Sequence, residues 1–178
     1  VFTRFDRESG DTDWCGGNYP CALSYNSDQL LALERIEALA SSHDIAAVNM
    51  SLGGGMSTTA CEGGPIARQI GRLKARGIST VIAAGNVGLT GAVSAPACIP
   101  DAIAVGASTL GDQVAGYSNT ADGLIDLYAP GSGVLSAHPG GSSRSFSGTS
   151  MATPHVAGAF ALLQEKLPLA TPQEILLS

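Results

Sequence analysis

The chain has 178 residues, a formal net charge of −6, and 44% hydrophobic residues. That length suits one domain of ordinary size or part of a larger one, with enough apolar area for a core. The negative charge argues against nucleic-acid binding, which needs a basic face. No apolar run approaches the roughly 20 residues that a membrane-spanning helix needs.

The first part of the chain predicts a short strand, a polar loop and a helix. VFTRF, at residues 1–5, is typical of a strand, and residues 5–26 are rich in Gly, Asp and Asn. A helix is predicted for residues 27–43, capped by Ser27 and with apolar residues at helical spacing. Because the chain begins without Met and stops at TPQEILLS, in what looks like the start of a helix, we expect it to be cut at both ends.

Farther along, strands alternate with helices. Residues 45–52 predict a short apolar strand that leads into three glycines. Residues 64–77 predict a second helix, with Pro65 in its first turn and Gly77 at its C-terminal cap. The remaining elements are strands over residues 79–85 and 101–108, a less regular stretch over 124–138, and a helix that begins near Gly148.

This alternation predicts an α/β fold. Strands that alternate with helices form βαβ units and a parallel sheet. Continuously apolar strands are typical of a sheet that helices cover on both faces, so we expect a three-layer α/β/α sandwich with a mainly parallel sheet. Sites in such sheets form at the carboxyl ends of the strands, where SLGGG (51–55) and AAGN (83–86) both lie.

The four cysteines lie in loops and lack the C-x-x-C spacing of a zinc site. In an exported protein they would form two disulfides, for which three pairings are possible. We favour Cys15–Cys21, which closes a short loop, and Cys61–Cys98, which closes a long one. Four free thiols are the alternative.

The segment SFSGTSMATPHVAG, at residues 145–158, places hydroxyl groups at the start of an apolar helix. Ser150 lies at or next to the first helical residue, where backbone N–H groups lack partners within the helix and the dipole is positive. A serine oxygen there can attack a carbonyl carbon while these N–H groups stabilise the oxyanion. Taken alone, such a cluster is more often a helix cap. Pro154 is predicted to bend the first turn without breaking it.

Two other segments fit the same chemistry. Asn86 follows a strand and a glycine, so it is either a turn residue or a side-chain donor to an oxyanion, with the Ser150 N–H as second donor. SLGGG is either a flexible turn or the wall of a cleft, where bare backbone pairs with an extended peptide.

Together these segments resemble the subtilisin-like serine proteases, the subtilase family. GTSMATPHVAG is similar to the nucleophile motif of that family, AAGN to its oxyanion-asparagine motif, and SLGG to its substrate-wall motif. DAIAVGAS (101–108) and APG (129–131) also resemble family segments. The resemblance begins near Ala46. It implies that residues 1–178 are the C-terminal portion of a single subtilisin-like peptidase domain, with the N-terminal strands missing from this chain.

By this resemblance, Ser150 is the nucleophile and Asn86 the oxyanion donor of a secreted serine endopeptidase that acts through an acyl-enzyme. The residues expected to bind the substrate, as two walls and a floor of the pocket for the side chain before the cut bond, are Ser51, Leu52, Gly53, Gly54, Ala83, Ala84, Gly85, Ser94 and Ala95. Because these residues are small, we expect a roomy apolar pocket that prefers large uncharged side chains. The family also implies a cis bond between Ala95 and Pro96.

The aspartate motif D-[ST]-G and the histidine motif H-G-T-H of that family are absent from this sequence. A serine protease needs a histidine base and a carboxylate that orients it, so we expect both from a segment N-terminal to Val1. His155 points away from Ser150 on the helix and is expected to be structural, while His43 and His138 belong to a helix end and a turn. We expect the isolated chain to be nearly inert, and to aggregate or stay molten because its open sheet exposes an edge and apolar faces.

No cofactor is expected. Asp6, Glu8, Asp11 and Asp13 could hold calcium, but a solvated acidic loop is favoured. The G-x-S-x-G pattern of α/β-hydrolases fails around Ser150, which excludes that rival class. The alternative function is a catalytically inactive subtilisin-like fold used as a binding module.

Overall fold

The computed structural model describes residues 3–5 and 21–178, which form ten strands and four helices. The strands are β1 Thr3–Phe5, β2 Cys21–Leu23, β3 Ala47–Met50, β4 Gly54–Ser57, β5 Ser79–Ala83, β6 Val93–Ala95, β7 Ile103–Ser108, β8 Leu127–Pro130, β9 Val134–His138 and β10 Ser142–Phe146. The helices are α1 Asn26–Leu39, α2 Gly64–Ala75, α3 Thr149–Lys166 and α4 Pro172–Leu176. None of these four helices is both long and apolar enough to cross a membrane.

A four-stranded parallel sheet in the order β3-β5-β7-β8 forms the centre of the fold. The predicted mainly parallel sheet is therefore confirmed. Its fourth strand, β8, comes from the stretch 124–138 that the sequence predicts as less regular. That prediction is wrong, because the stretch contains β8 and β9; both strands are short and only partly buried, so they lack the continuous apolar pattern of β5 and β7.

Helices cover both faces of the sheet, because successive side chains of a buried strand point to opposite faces. On β5, Ile82 belongs to one apolar core with Leu33 of α1 and Ile70 of α2. Its neighbour Val81 belongs to a second core with Val156 of α3. The predicted three-layer α/β/α sandwich is confirmed.

The helix ends agree only in part with the sequence. In α2, Pro65 lies in the first turn and Gly77 has φ +80°, as predicted. In α1 the predicted cap is wrong: the helix begins at Asn26 after Tyr25, no side chain caps it, and Ser27 lies inside its first turn. The helix also ends at Leu39 rather than near His43, whose Nδ1 lies 3.3 Å from the Leu39 carbonyl oxygen.

The described residues also form three antiparallel two-stranded ribbons and a disulfide outside the central sheet. Strand β1 pairs with β2, β4 with β6, and β9 with β10. The predicted Cys61–Cys98 disulfide is confirmed; it ties the β4–α2 connection to the loop after β6. Cys21 is disulfide-bonded as well, whereas its predicted partner Cys15 lies outside the described residues.

Candidate active site

The start of α3 lies at the carboxyl ends of β3 and β5. Gly148 precedes the helix, with its N–H bonded to the carbonyl oxygen of Gly131 at 2.8 Å. A Cβ at Gly131 would lie 2.6 Å from the Cβ of Ala107 and 2.8 Å from the Gly148 carbonyl oxygen, so only glycine permits this approach. The APG segment therefore holds the first turn of α3 against the sheet.

Ser150 and Ser51 bond each other in both directions. The Ser150 hydroxyl donates to the Ser51 carbonyl oxygen at 3.4 Å, and the Ser51 hydroxyl donates to the Ser150 carbonyl oxygen at 2.8 Å. That second carbonyl is free because Pro154, four residues later, has no N–H to donate. The helix nevertheless continues through Pro154 to Lys166, as predicted. The nucleophile motif and the SLGG segment are thus joined by a reciprocal pair of hydrogen bonds.

Asn86 is anchored to the residue before Ser150. Its Oδ1 accepts the backbone N–H of Thr149 at 2.7 Å and the Thr149 hydroxyl at 2.9 Å. The same hydroxyl accepts the N–H of Gly85 at 3.2 Å, and Thr149 is completely buried. With its oxygen held in this way, the Asn86 side chain has a fixed orientation and its NH₂ group faces away from Thr149.

Two hydrogen-bond donors remain unused beside the Ser150 oxygen. Among the described residues, neither the Asn86 NH₂ group nor the Ser150 N–H has a hydrogen-bond partner. A Cβ built on Gly148 would lie 3.3 Å from Asn86 Nδ2, so this nitrogen lies close to Gly148, two residues before Ser150. A pair of free donors next to a hydroxyl oxygen is the arrangement that stabilises an oxyanion.

A cavity of about 260 Å³ opens next to these groups. Its lining consists of Leu52, Gly53, Ala83, Gly85, Asn86, Ser94, Thr149 and Ser150. The structure therefore places both predicted catalytic residues and five of the predicted pocket residues around one space. Three of the lining side chains carry hydroxyl groups.

The other predicted pocket residues lie around this cavity rather than in its lining. Ala84 is completely buried behind it, with its carbonyl oxygen bonded to the N–H of Ser94 at 2.8 Å. Ser51 and Gly54 line a larger cavity of about 770 Å³, together with Leu52 and Gly53, which border both spaces. Ala95 lines the larger cavity as well, and the predicted cis bond between Ala95 and Pro96 is confirmed.

Close packing excludes a side chain at Gly85 and leaves little room for one at Gly53, both in the lining of the smaller cavity. A Cβ at Gly85, whose φ is +108°, would collide with Ser94 Oγ and Asn119 Nδ2. A Cβ at Gly53 would come within 3.0 Å of the Ser94 Cβ. Ser94 thus fills the volume that side chains at these two positions would occupy.

Within residues 3–5 and 21–178 no general base lines the smaller cavity, because none of the lining residues ionises near neutral pH. His155 is directed elsewhere: its Nδ1 lies 2.8 Å from the Met151 carbonyl oxygen within α3. His138 lies in the β9–β10 ribbon beside Phe146, and His43 lies after α1.

The carboxylates with shifted pKa values are not in the cavity either. Burial raises the pKa of Asp126, although the N–H of Ala104 donates to it at 2.7 Å. A hydrogen bond from Gln69 lowers the pKa of Glu37, and the N–H of Thr171 lowers that of Glu174. Residues 3–5 and 21–178 contain no cluster of metal-binding side chains, and the acidic loop from Asp6 to Asp13 lies outside the described residues.

The sequence interpretation missed two buried polar side chains that support the site, Thr149 and Asn119. Thr149 is inside the nucleophile motif, but its bonds to Asn86 cross from one motif to the other. Asn119 lies outside the nucleophile, oxyanion-asparagine and substrate-wall motifs. It comes close to the loop of Asn86 only because it follows β7, which is the neighbour of β5 in the sheet.

Comparison with known proteins places these features in a family context. Residues 22–176 match the Subtilase family. Subtilisin-like protease 4 of Arthroderma gypseum is 42% identical over 118 residues, which are 66% of this chain and 28% of that protein. Subtilisin-like protease 1 of the same organism is 45% identical over 118 residues, which are 23% of its length.

Solved structures agree with this match. A cold adapted subtilisin-like serine proteinase aligns with a TM-score of 0.72 and 32% identity, covering 86% of this chain and 53% of that chain. Sphericase aligns with a TM-score of 0.72 and 27% identity, covering 86% of this chain and 54% of its own. The chain thus spans about half the length of these structures and about a quarter of its curated relatives.

Proposed function

The chain belongs to the Subtilase family, and from this premise we propose that it supplies the nucleophile, oxyanion site and substrate cleft of a serine endopeptidase. In this proposal residues 1–178 are the C-terminal portion of one peptidase domain. The observation that carries the proposal is that Ser150 and Asn86 line one cavity, while the Ser150 N–H and the Asn86 NH₂ group have no hydrogen-bond partner among the described residues.

The proposed reaction is acyl transfer through Ser150. Its oxygen attacks the carbonyl carbon of the peptide bond, and the carbonyl π electrons move to oxygen. The Asn86 NH₂ group and the Ser150 N–H donate to that oxyanion. A histidine base takes the Ser150 proton and gives it to the departing amine as the C–N bond breaks; water then cleaves the acyl-enzyme by the reverse sequence of proton transfers. These steps use protein groups and water alone, so the proposal requires no cofactor.

The histidine and its orienting aspartate come, in this proposal, from a segment N-terminal to this chain, which is a partner in the same domain. Two features support such a partner: the described residues that line the cavity include no base, and β3 is the last strand of the described sheet on the side of Ser51. Removal of triad members from a protease of this same family costs about 10⁴- to 10⁶-fold in kcat. We therefore expect the isolated chain to be nearly inert, and to aggregate or stay molten.

The substrate in this proposal is an extended peptide that runs along Ser51–Gly54. Leu52 and Gly53 border both cavities, so a strand on this wall would place one side chain in the 260 Å³ space and another in the 770 Å³ space. We propose that the smaller space takes the residue before the cut bond, with a preference for large uncharged side chains. We also propose a secreted protein that binds neither nucleic acid nor membranes. The disulfide supports secretion, and the net charge of −6 argues against nucleic acid.

The test is covalent labelling of the complete protein that contains this chain with a fluorophosphonate. Labelling at Ser150 and its loss in Ser150→Ala are the expected results. Ser145→Ala is the matched control, because this exposed serine of β10 lies in the same segment and should leave labelling unchanged. A folded complete protein that does not react at Ser150 refutes the proposal and favours the alternative, an inactive fold used as a binding module.

A further inference from the structure

We propose that Asn119 is a positioning residue for the oxyanion donor, because its buried side chain bonds the chain on both sides of Asn86. The inference rests on the proposed function, since it concerns how that reaction is supported. It assigns a role to a residue that lies outside every motif of the cleft.

The bonds of Asn119 bracket Asn86. Its Nδ2 donates to the Ala84 carbonyl oxygen at 3.1 Å, two residues before Asn86. Its Oδ1 accepts the N–H groups of Val87 and Leu89, each at 3.2 Å, one and three residues after it. The side chain is completely buried, and no other described side chain bonds both flanks of Asn86.

The bracketed loop needs an external support. Strand β5 ends at Ala83, and three glycines in the following loop have positive φ, at Gly85, Gly88 and Gly91. Such a loop has no ladder of its own to satisfy its N–H groups, and each buried unsatisfied group costs free energy. The Oδ1 of Asn119 accepts two N–H groups on one flank and its Nδ2 donates to the other. The planar amide thus carries its acceptor and its donor on separate atoms, which neither a carboxylate nor a hydroxyl does.

Asn86 is consequently held from two directions. Thr149 fixes the side-chain oxygen of Asn86 from α3, whereas Asn119 fixes the backbone of its loop from the segment after β7. The free NH₂ group can point reliably at an oxyanion only if both supports hold, because a misplacement of about 1 Å can cost roughly 10²-fold in rate. Together these two sets of hydrogen bonds hold the glycine-rich loop rigidly, so that the Asn86 NH₂ group is a donor in a fixed position.

The test compares kcat and KM of the complete protein with those of Asn119→Asp, which keeps the shape and the acceptors but loses the donor to Ala84. We expect kcat to fall about 10- to 100-fold, with KM changed less than about threefold. For comparison, the loss of an oxyanion donor costs about 10²- to 10³-fold in kcat, a figure from a protease of this same family. Ile70→Val, in the core between α2 and the sheet, is the stability control and should leave kcat unchanged.

A double-mutant cycle separates positioning from a general effect. In an Asn86→Ala background, Asn119→Asp should lower kcat by no more than about twofold, because the donor that it positions is already absent. Equal losses in both backgrounds overturn the inference, as does an unchanged kcat in a folded Asn119→Asp protein. The ³¹P shift of phosphonylated Ser150 should move toward the Asn86→Ala value in Asn119→Asp.

Hydrogen exchange in the unmodified protein covers the case in which the variant does not fold. Amide protection at Val87 and Leu89 comparable to that of β5 supports the inference, and exchange at the rate of an exposed loop overturns it. Failure of the proposed function is distinguishable: the unmodified protein would then not react with the fluorophosphonate at all.

Discussion

Gly85→Ala in the complete protein tests the close packing beneath the loop that carries Gly85 and Asn86. Alanine at φ +108° carries backbone strain of about 1–3 kcal/mol. Its Cβ also collides with Ser94 Oγ and Asn119 Nδ2 and lies 3.1 Å from the Ser94 Cβ, and overpacking of this kind costs about 1–3 kcal/mol. The two contributions predict a loss of about 4 kcal/mol, a large share of the roughly 5–15 kcal/mol of a typical domain.

Urea unfolding followed by circular dichroism measures this loss. Gly158→Ala is the matched control: Gly158 lies inside α3, an added Cβ there meets nothing within 4 Å, and alanine should stabilise the helix by about 0.5–1 kcal/mol. Adding Ser94→Gly to Gly85→Ala removes one collision and should recover about 1–2 kcal/mol. A loss below about 1 kcal/mol for Gly85→Ala, or no recovery with Ser94→Gly, would refute the packing argument.

Three further changes address the supports of the fold and the site. Thr149→Val should lower the free energy of unfolding by about 1–3 kcal/mol, because it leaves a loop N–H unsatisfied; an unchanged urea midpoint contradicts this. Replacing Cys61 and Cys98 by serine opens a cross-link with a sequence separation of 37 residues, which predicts a loss of about 4 kcal/mol in the same assay, and a loss under 1 kcal/mol argues against it. Hydrogen bonds from Thr171 lower the pKa of Glu174. The ionised Glu174 side chain therefore stabilises the fold fully above pH 4.5, and this stabilisation is lost as the pH falls through the lowered pKa. Glu174→Gln should flatten that part of the pH profile of the unfolding midpoint, and an unaltered profile counts against the capping box.

The parts of the fold that the sequence predicts well are those that local rules determine. Strands β5 and β7 are continuously buried, and their apolar runs are unmistakable. The turn after α2 needs positive φ, which Gly77 supplies. By contrast, the predicted cap of α1 is wrong because Ser27 satisfies the local preference, whereas the N-cap of the helix is Tyr25, two residues earlier. The sequence does not predict strands β8 and β9, because their half-buried residues show no clear hydrophobic period.

The residues of the candidate site also differ in how well local rules predict them. Ser51 and Asn86 follow parallel strands, and Ser150 lies in the first turn of a helix, so the general rule for α/β sheets brings them to one edge. The polar groups that aim these residues are farther away in sequence: Asn119 lies 30 and 32 residues from the two loop amides that it binds, and its segment shows no pattern of its own. Only the register of the sheet determines such partners.

Pro154 shows how a local rule can conceal a long-range contact. In the sequence it is merely a residue that a helix tolerates near its beginning. In the structure its missing N–H leaves the Ser150 carbonyl oxygen without a helical partner, and the Ser51 hydroxyl donates to that oxygen from the neighbouring strand end at 2.8 Å. The Ser51 carbonyl in turn accepts the Ser150 hydroxyl. A residue that lacks a donor thus makes room for a bond between two motifs, because a carbonyl at a helix start must find a partner somewhere.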